Sequence, residues 1–351
     1  MRPFQRGLLL LISVFSCFLL AQANNQATLE AELKKKPDSL RLRMELANLH
    51  SRENRPDKVI DLLNPYTDQL DNTGFLLLAS SYSAKKDYAN EARVLLILSA
   101  KDEQNYQWHM LLGQAYLKRA SQNPSADNHA SLLTSGIQEL RKTLQLNKKF
   151  KPAFDLLLNT LLEEGSNNES RELLMEGLQK FGQRPELFRE LCRIDATDGF
   201  LVQAVQNCRM SIKMSPNFAD HYVYLAQALH DQQEDQQAER TILNAAKRFT
   251  KSEFVQWAAG TLFLRKKNYP VASRYFRAAL QADAKESRSH IGMAESLFES
   301  GSEQQALEHF VAACKADGAS LEKFMAAGGR LKQKGNMELG TKYIQAANTC
   351  R

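Results

Sequence analysis

The sequence predicts an all-α protein, an α-solenoid built from antiparallel helix pairs, and three observations carry that prediction. Between Asn268 and Ala284, the residues Ala272, Phe276, Ala279 and Leu280 fall at i, i+4, i+7 and i+8, one stripe of an α-helix that mixes small with large side chains. The same stripe returns 34 residues later as Ala306, Phe310, Ala313 and Cys314. Small or core-type residues also recur at Ala47, Ala79, Gly113, Leu158, Cys192, Ala226, Gly260, Ala294 and Gly328, the last six of them 34 apart without exception. A fixed period of this length is the signature of a stacked repeat.

The elements follow in chain order. Arg2 and Arg6, an apolar stretch from Leu8 to Leu20, and Ala21-Gln22-Ala23 read as an export signal over residues 1–23, cleaved to leave Asn24 as the mature N-terminus. The apolar stretch is short for a membrane span, so no integral span is expected after cleavage. A lipoprotein anchored through Cys17 is the minor alternative, and apolar Phe18-Leu19-Leu20 directly after the cysteine argue against it. Residues 24–38, with Leu29 and Leu33, are expected to form a helix that covers the first repeat. About nine repeats then fill 39–351. Each first helix presents rings or leucines beside its marker, such as Phe75 and Leu78 before Ala79 and Tyr82 after it. Each second helix carries its own small residue twelve positions on, as at Val59, Ala204, Ala238, Ala272, Ala306 and Gly340. Closely approaching helix axes need small residues at the crossing and large ones beside it. The interval from Gly113 to Leu158 is 45 residues, which implies an insertion in 117–135 whose Asn-Pro-Ser-Ala-Asp core is loop chemistry. At the C-terminus, Asn348 stands where Leu280 stands earlier, so the last outward face has turned partly polar.

This order of aromatic, Leu-Gly/Ala, Tyr, Ala, Phe and Ala, with Pro216 at the closing proline position, resembles the tetratricopeptide repeat (TPR) family over nearly the whole mature chain. The resemblance implies a right-handed superhelix whose first helices line a concave groove. It also implies that the residue one after each marker points into that groove. In this sequence those positions include the amides Asn48, Gln114, Asn159 and Gln227, able to donate to and accept from an extended peptide backbone, and Arg193. Polar residues at exposed positions would look the same. The neighbouring row, three before each marker, holds Arg189 and the apolar Trp257, Ile291 and Met325, which are expected to be exposed unless a partner covers them. Arg189 and Arg193, one turn apart, are placed to hold a carboxylate or phosphate, with Glu186 and Glu190 placed to neutralise them. The family's clamp for C-terminal carboxylates is not found.

Composition excludes more than it names. The 46 basic and 40 acidic residues give no dense basic stretch interleaved with stacking aromatics, so no nucleic-acid partner is expected. No His-x-x-x-His, Cys-x-x-Cys, glycine-rich phosphate loop or nucleophile elbow occurs, so neither a metal nor a cofactor is expected. Asp195 stands where its counterparts are aromatic or Leu, either as a buried carboxyl of a site or at a partly exposed helix end. Four cysteines remain after signal removal. Cys192 with Cys208 is the first candidate bridge and Cys314 with Cys350 the second, while free cysteines packed as small apolar residues account for them equally well. The reading is a noncatalytic scaffold that binds a protein or peptide partner in the periplasm or cell envelope. A structural or carbohydrate-machinery accessory that binds through its convex face is the alternative.

Overall fold

The structure, a computed structural model, describes residues 25–317 and 320–350. The expected signal at 1–23, its cleavage point and Cys17 lie outside them. The chain forms two compact units, one ending at Gly165 and the other beginning at Ser166. Among the described residues there are helices and no strands.

The first unit runs through α1 (25–35), α2 (Leu40–Arg52), α3 (Pro56–Leu63), a 3-10 turn (Asn64–Gln69), α4 (Asn72–Ala84), α5 (Tyr88–Lys101), α6 (Tyr106–Gln122), α7 (His129–Leu146) and α8 (Lys151–Glu163). Helix starts are fixed by side chains that accept otherwise unpaired amide protons. Asp71 accepts from the Gly74 amide at 2.8 Å and Asp87 from Asn90 at 3.2 Å.

The Asn-Pro-Ser-Ala-Asp core of the insertion is a loop between the two helices of repeat three, as its chemistry implies. Only 123–128 leave helical geometry, while α6 and α7 lengthen to 17 and 18 residues against 13 and 14 in the pair Glu253–Arg265 and Tyr269–Ala282. Buried Ala120 and Leu132 let the two helices go on packing beyond the usual turn. Their crossing stays glycine-tight, since a Cβ on Gly113 would stand 3.2 Å from the Gly136 carbonyl oxygen.

The second unit comprises α9 (Asn167–Phe181), α10 (Pro185–Thr197), α11 (Leu201–Met214), α12 (Asp220–Asp231), α13 (Asp235–Arg248), α14 (Glu253–Arg265), α15 (Tyr269–Ala282), α16 (Ser287–Glu299), α17 (Glu303–Asp317), α18 (Leu321–Gln333) and α19 (Met337–Asn348). Consecutive helices pack against each other from α9 to α19 wherever the repeat demands it, α10 on α11 and α16 on α17 most extensively. Ala272, Phe276 and Ala279 are fully buried, and so are Ala306 and Ala313. The opening stripe is therefore the packing seam.

A second periodic device closes each pair. Seven residues after the markers the backbone turns left-handed, at Asn54, Lys86, Gly165, Gly199, Gln233, Lys267, Gly301 and Gly335. The next amide then reaches back to a carbonyl of the first helix, as Glu234 does to Leu229 at 2.8 Å and Asn268 to Phe263 at 2.9 Å. This is the Schellman closure, which satisfies helix-end carbonyls and turns the chain into the second helix. Repeat three has no such residue, because its first helix runs on.

Cys192 and Cys208 are bridged between α10 and α11, with a sulfur–sulfur distance of 2.07 Å and Cα atoms 4.7 Å apart. Cys314 and Cys350 form a second pair, with Cα atoms 5.9 Å apart.

Candidate functional site

The repeat frame gives α12 and α14 parallel neighbouring faces, with α13 behind them. Small Ala226, Ala238 and Ala258 on these three helices leave a cavity of about 350 Å³ between them. Val223, Ile242, Trp257 and Leu262 complete its apolar wall, and Gln227 and Thr261 supply polar groups at the mouth. The remaining rim is charged but largely paired: Lys266 meets Glu239 at 2.5 Å and His230 meets Asp235 at 2.5 Å. Gln227 donates to both carboxylate oxygens of Asp231, at 2.9 and 3.0 Å. Arg265, also on the rim, is exposed.

Trp257 is held in a stack. Phe254 lies parallel to it with ring centres 5.6 Å apart and an interplanar angle of 7°, and Tyr224 joins Phe254 at 5.7 Å. The Arg288 guanidinium lies 4.9 Å from the Trp257 ring and 5.4 Å from the Phe254 ring, a cation over two π faces. Arg288 is aimed by Glu286 at 2.5 Å, with Glu253 at 3.8 Å. Burial first, and then the neighbouring Glu286 carboxylate, push Glu253 up to about 6.

The other expected site residues are dispersed. Asn48, Gln114 and Asn159 belong to the first unit, where Asn48 is exposed and donates to its own helix at the Met44 carbonyl, 2.9 Å away. Arg189 and Arg193 do share a face, yet Glu190 bonds both, at 3.0 and 3.1 Å, so half of their charge is already spent. Trp257, Ile291 and Met325 are half-buried rather than exposed, which corrects the expectation of an open apolar row. Stacking by Phe254 and Arg288 covers Trp257, and Met325 packs against the core around Phe324. The structure brings two of the expected residues, Gln227 and Trp257, into one cavity.

Sequence reasoning missed Tyr224, Phe254 and Arg288. A signal for two of them was present, since Phe254 and Arg288 occupy the same register, six residues before Gly260 and Ala294. Asp195 is fully buried, and its two oxygens accept from Arg171 at 2.6 Å and Asn207 at 2.7 Å. It ties α9, α10 and α11 together, as a paired buried charge must. His221 is fully buried against Ser211 at 2.8 Å, with Nε2 lacking a hydrogen-bond partner among the described residues. Desolvation, followed by the charge of Arg189, lowers it to about 4. Among the described residues no three His, Cys, Asp or Glu side chains gather as a metal site would require. No described helix is long and apolar enough to cross a membrane.

Comparison with known proteins agrees with this geometry. Residues 258–320, which contain the α14–α17 stripe and most of Trp257's helix, match the sequence profile described as "Tetratricopeptide repeat". No curated protein matches the sequence closely enough to count as a relative. Among solved structures, yeast Tom70 is similar with a TM-score of 0.50 at 11% identity, over 95% of this chain and 82% of that one. Pseudomonas aeruginosa PilF is similar with a TM-score of 0.47 at 16% identity, over 59% of this chain and 90% of its own. A crystal structure of MamA is similar with a TM-score of 0.39 at 14% identity, over 46% of this chain and 94% of its own. At these identities the likeness concerns fold alone. Helix-pair repeats with a common register run through both units, residues 258–320 carry the tetratricopeptide repeat pattern, and the chain is an all-α helix-pair solenoid by fold.

Proposed function

We propose that this protein is a noncatalytic scaffold of the cell envelope that binds an extended segment of a protein partner along the first helices of its second unit. The observation that carries the reading is the α12–α14 cavity, which offers one apolar side chain a wall of Val223, Ile242 and Trp257 beneath the amide of Gln227. A few convergent polar groups over an apolar wall are what orient a bound chain. Trp257, held by Phe254 and by Arg288, is a rigid anchor of the kind that dominates binding energy. The export signal read in 1–23 supports the envelope setting. So do the cysteine pairs Cys192–Cys208 and Cys314–Cys350, because disulfides persist in oxidising compartments.

The alternative, binding through the second helices, is favoured by one observation. The most exposed large apolar side chains on helices are Val202 on α11, Met337 on α19, Leu96 on α5 and Met175 on α9, all on second helices. Site-specific photocrosslinking separates the two readings. A benzophenone amino acid placed at Ala258 in cells of the native organism should trap a discrete protein partner, and the same group at Val202 should not. Adducts formed from position 202 alone would overturn the groove reading. Intact mass of the same material tests export: a mature N-terminus at Asn24 supports it, and retained residues 1–23 or a lipidated Cys17 contradicts it.

A further inference from the structure

The α12–α14 cavity opens beside a basic seam. Arg265, the last residue of α14, lines that cavity and lines as well a second one of about 360 Å³ between α16 and α18. Around the second cavity stand Arg265, Lys267, Lys323 and Arg330, against the carboxylates Glu295 and Glu299. Lys323 spends its charge on Glu295 at 2.6 Å and Arg330 on Glu299 at 2.6 Å. Arg265 and Lys267 then remain exposed with no ion-pair partner among the described residues. The surplus shows in Glu299, whose carboxyl is held below its usual range by Arg330 first and also by Lys334 and Lys267. In the first cavity, by contrast, Lys266 and Glu239 cancel, as do His230 and Asp235 when the histidine is charged. The uncompensated charge of the second cavity is therefore positive, and it sits at Arg265 and Lys267, where the two cavities meet, while Asp231 keeps a negative charge on the far side of the first.

We propose that the segment bound at the α12–α14 cavity is an acidic peptide segment, with an apolar side chain seated against Trp257 and side-chain carboxylates running on over Arg265 to Lys267. This rests on the groove reading and adds the chemistry of its occupant. Guanidinium and ammonium groups without partners are favourable contacts for carboxylates, and a basic segment would meet like charge at the same place. A nucleic acid fits less well, since an apolar cavity gives a phosphate backbone nothing to fill. The carboxylates are assigned to side chains because apolar cavity and basic seam are separate sites that an extended chain crosses in sequence.

Random-peptide display against the full mature chain tests this. Selected peptides should combine an apolar residue with Asp or Glu. The strongest, made as a fluorescent synthetic peptide, should lose tenfold or more in affinity with the double variant Arg265→Glu and Lys267→Glu, and lose affinity on raising salt. Amidated and free-acid peptides should bind alike. The corresponding double alanine variant, read with circular dichroism, guards against misfolding and should give a smaller loss in the same direction. Peptides that require Trp257 yet are neutral or basic, or that ignore both double variants, overturn the acidic assignment and leave the groove standing. Binding by the free acid alone transfers the seam to a chain terminus and overturns it too, as does oligouridylate binding that the double variant abolishes. No enriched peptide, or peptides indifferent to Trp257→Ala, overturns the groove reading itself.

Discussion

Phe276 on α15 is wedged against Gly292 on α16: a Cβ built on Gly292 would stand 2.3 Å from the ring carbon Cζ. On the other side a Cβ on Gly260 of α14 would stand 2.7 Å from Cε1 of the same ring. One phenyl ring thus fills the space that two glycines leave open, and three helices of neighbouring repeats converge on it. The alternation of tiny and large residues in the sequence is this packing seen along one dimension. Gly292→Ala should destabilise the second unit by about 1–3 kcal/mol through overpacking. Adding Phe276→Leu should return part of that loss, because the two sites share one volume. Urea denaturation of the single and double variants checks it, and strictly additive losses would contradict the wedge.

The turns predict the opposite kind of result at Gln233. Its φ of 66° places a non-glycine residue in the left-handed region, where Gly199 and Gly301 serve in the equivalent turns at 80° and 83°. A side chain there costs about 1 kcal/mol. Gln233→Gly should therefore raise stability by up to about 1 kcal/mol, less the entropy glycine adds to the unfolded chain, while Gly199→Ala should lower it by a similar amount. Thermal melts of the two variants should move in opposite directions.

Two titrating groups, buried His221 and half-buried Glu253, give pH dependences of opposite sign. His221, lowered to about 4, stays neutral when folded while the unfolded residue protonates near its usual value of 6.5. Its contribution is fully present above pH 6.5 and is lost as pH falls towards 4, by at most about 1.4 kcal/mol per pH unit. Glu253, raised to about 6 from 4.5, binds its proton earlier in the folded state, so its contribution is present below 4.5 and is lost as pH rises through 6. His221→Gln should flatten the stability loss between pH 6.5 and 4. Glu253→Gln should steepen it, because the opposing gain between about 6 and 4.5 is gone. Denaturation midpoints across this window measure both, and equal slopes in all three proteins would contradict the assignments.

The frame of 34 residues was legible because a close helix crossing tolerates few side chains, so Ala226, Gly260, Ala294 and Gly328 repeat as a printed register. The turn was half legible. Gly165, Gly199, Gly301 and Gly335 mark it, but Asn54, Lys86, Gln233 and Lys267 accept the left-handed conformation at a cost and hide the period. The loop of the insertion was legible because Asn-Pro-Ser-Ala-Asp is turn chemistry, while the lengthening of the helices on either side depends on the burial of Ala120 and Leu132, which no spacing records. The candidate site was the least legible part. Arg288 reaches Trp257 from the next repeat, and a contact across repeats depends on the rotation between helix pairs, which no spacing records.

The groove reading requires Trp257 to anchor a bound chain. Calorimetric titration with the partner trapped from position 258 tests it most directly, using the native protein and Trp257→Ala at equal helicity. Trp257→Ala should lose about 2 kcal/mol or more, roughly thirtyfold in affinity, since a rigid aromatic anchor carries much of such an interface. Unchanged affinity in a folded Trp257→Ala protein would contradict it and move the working surface to the second helices.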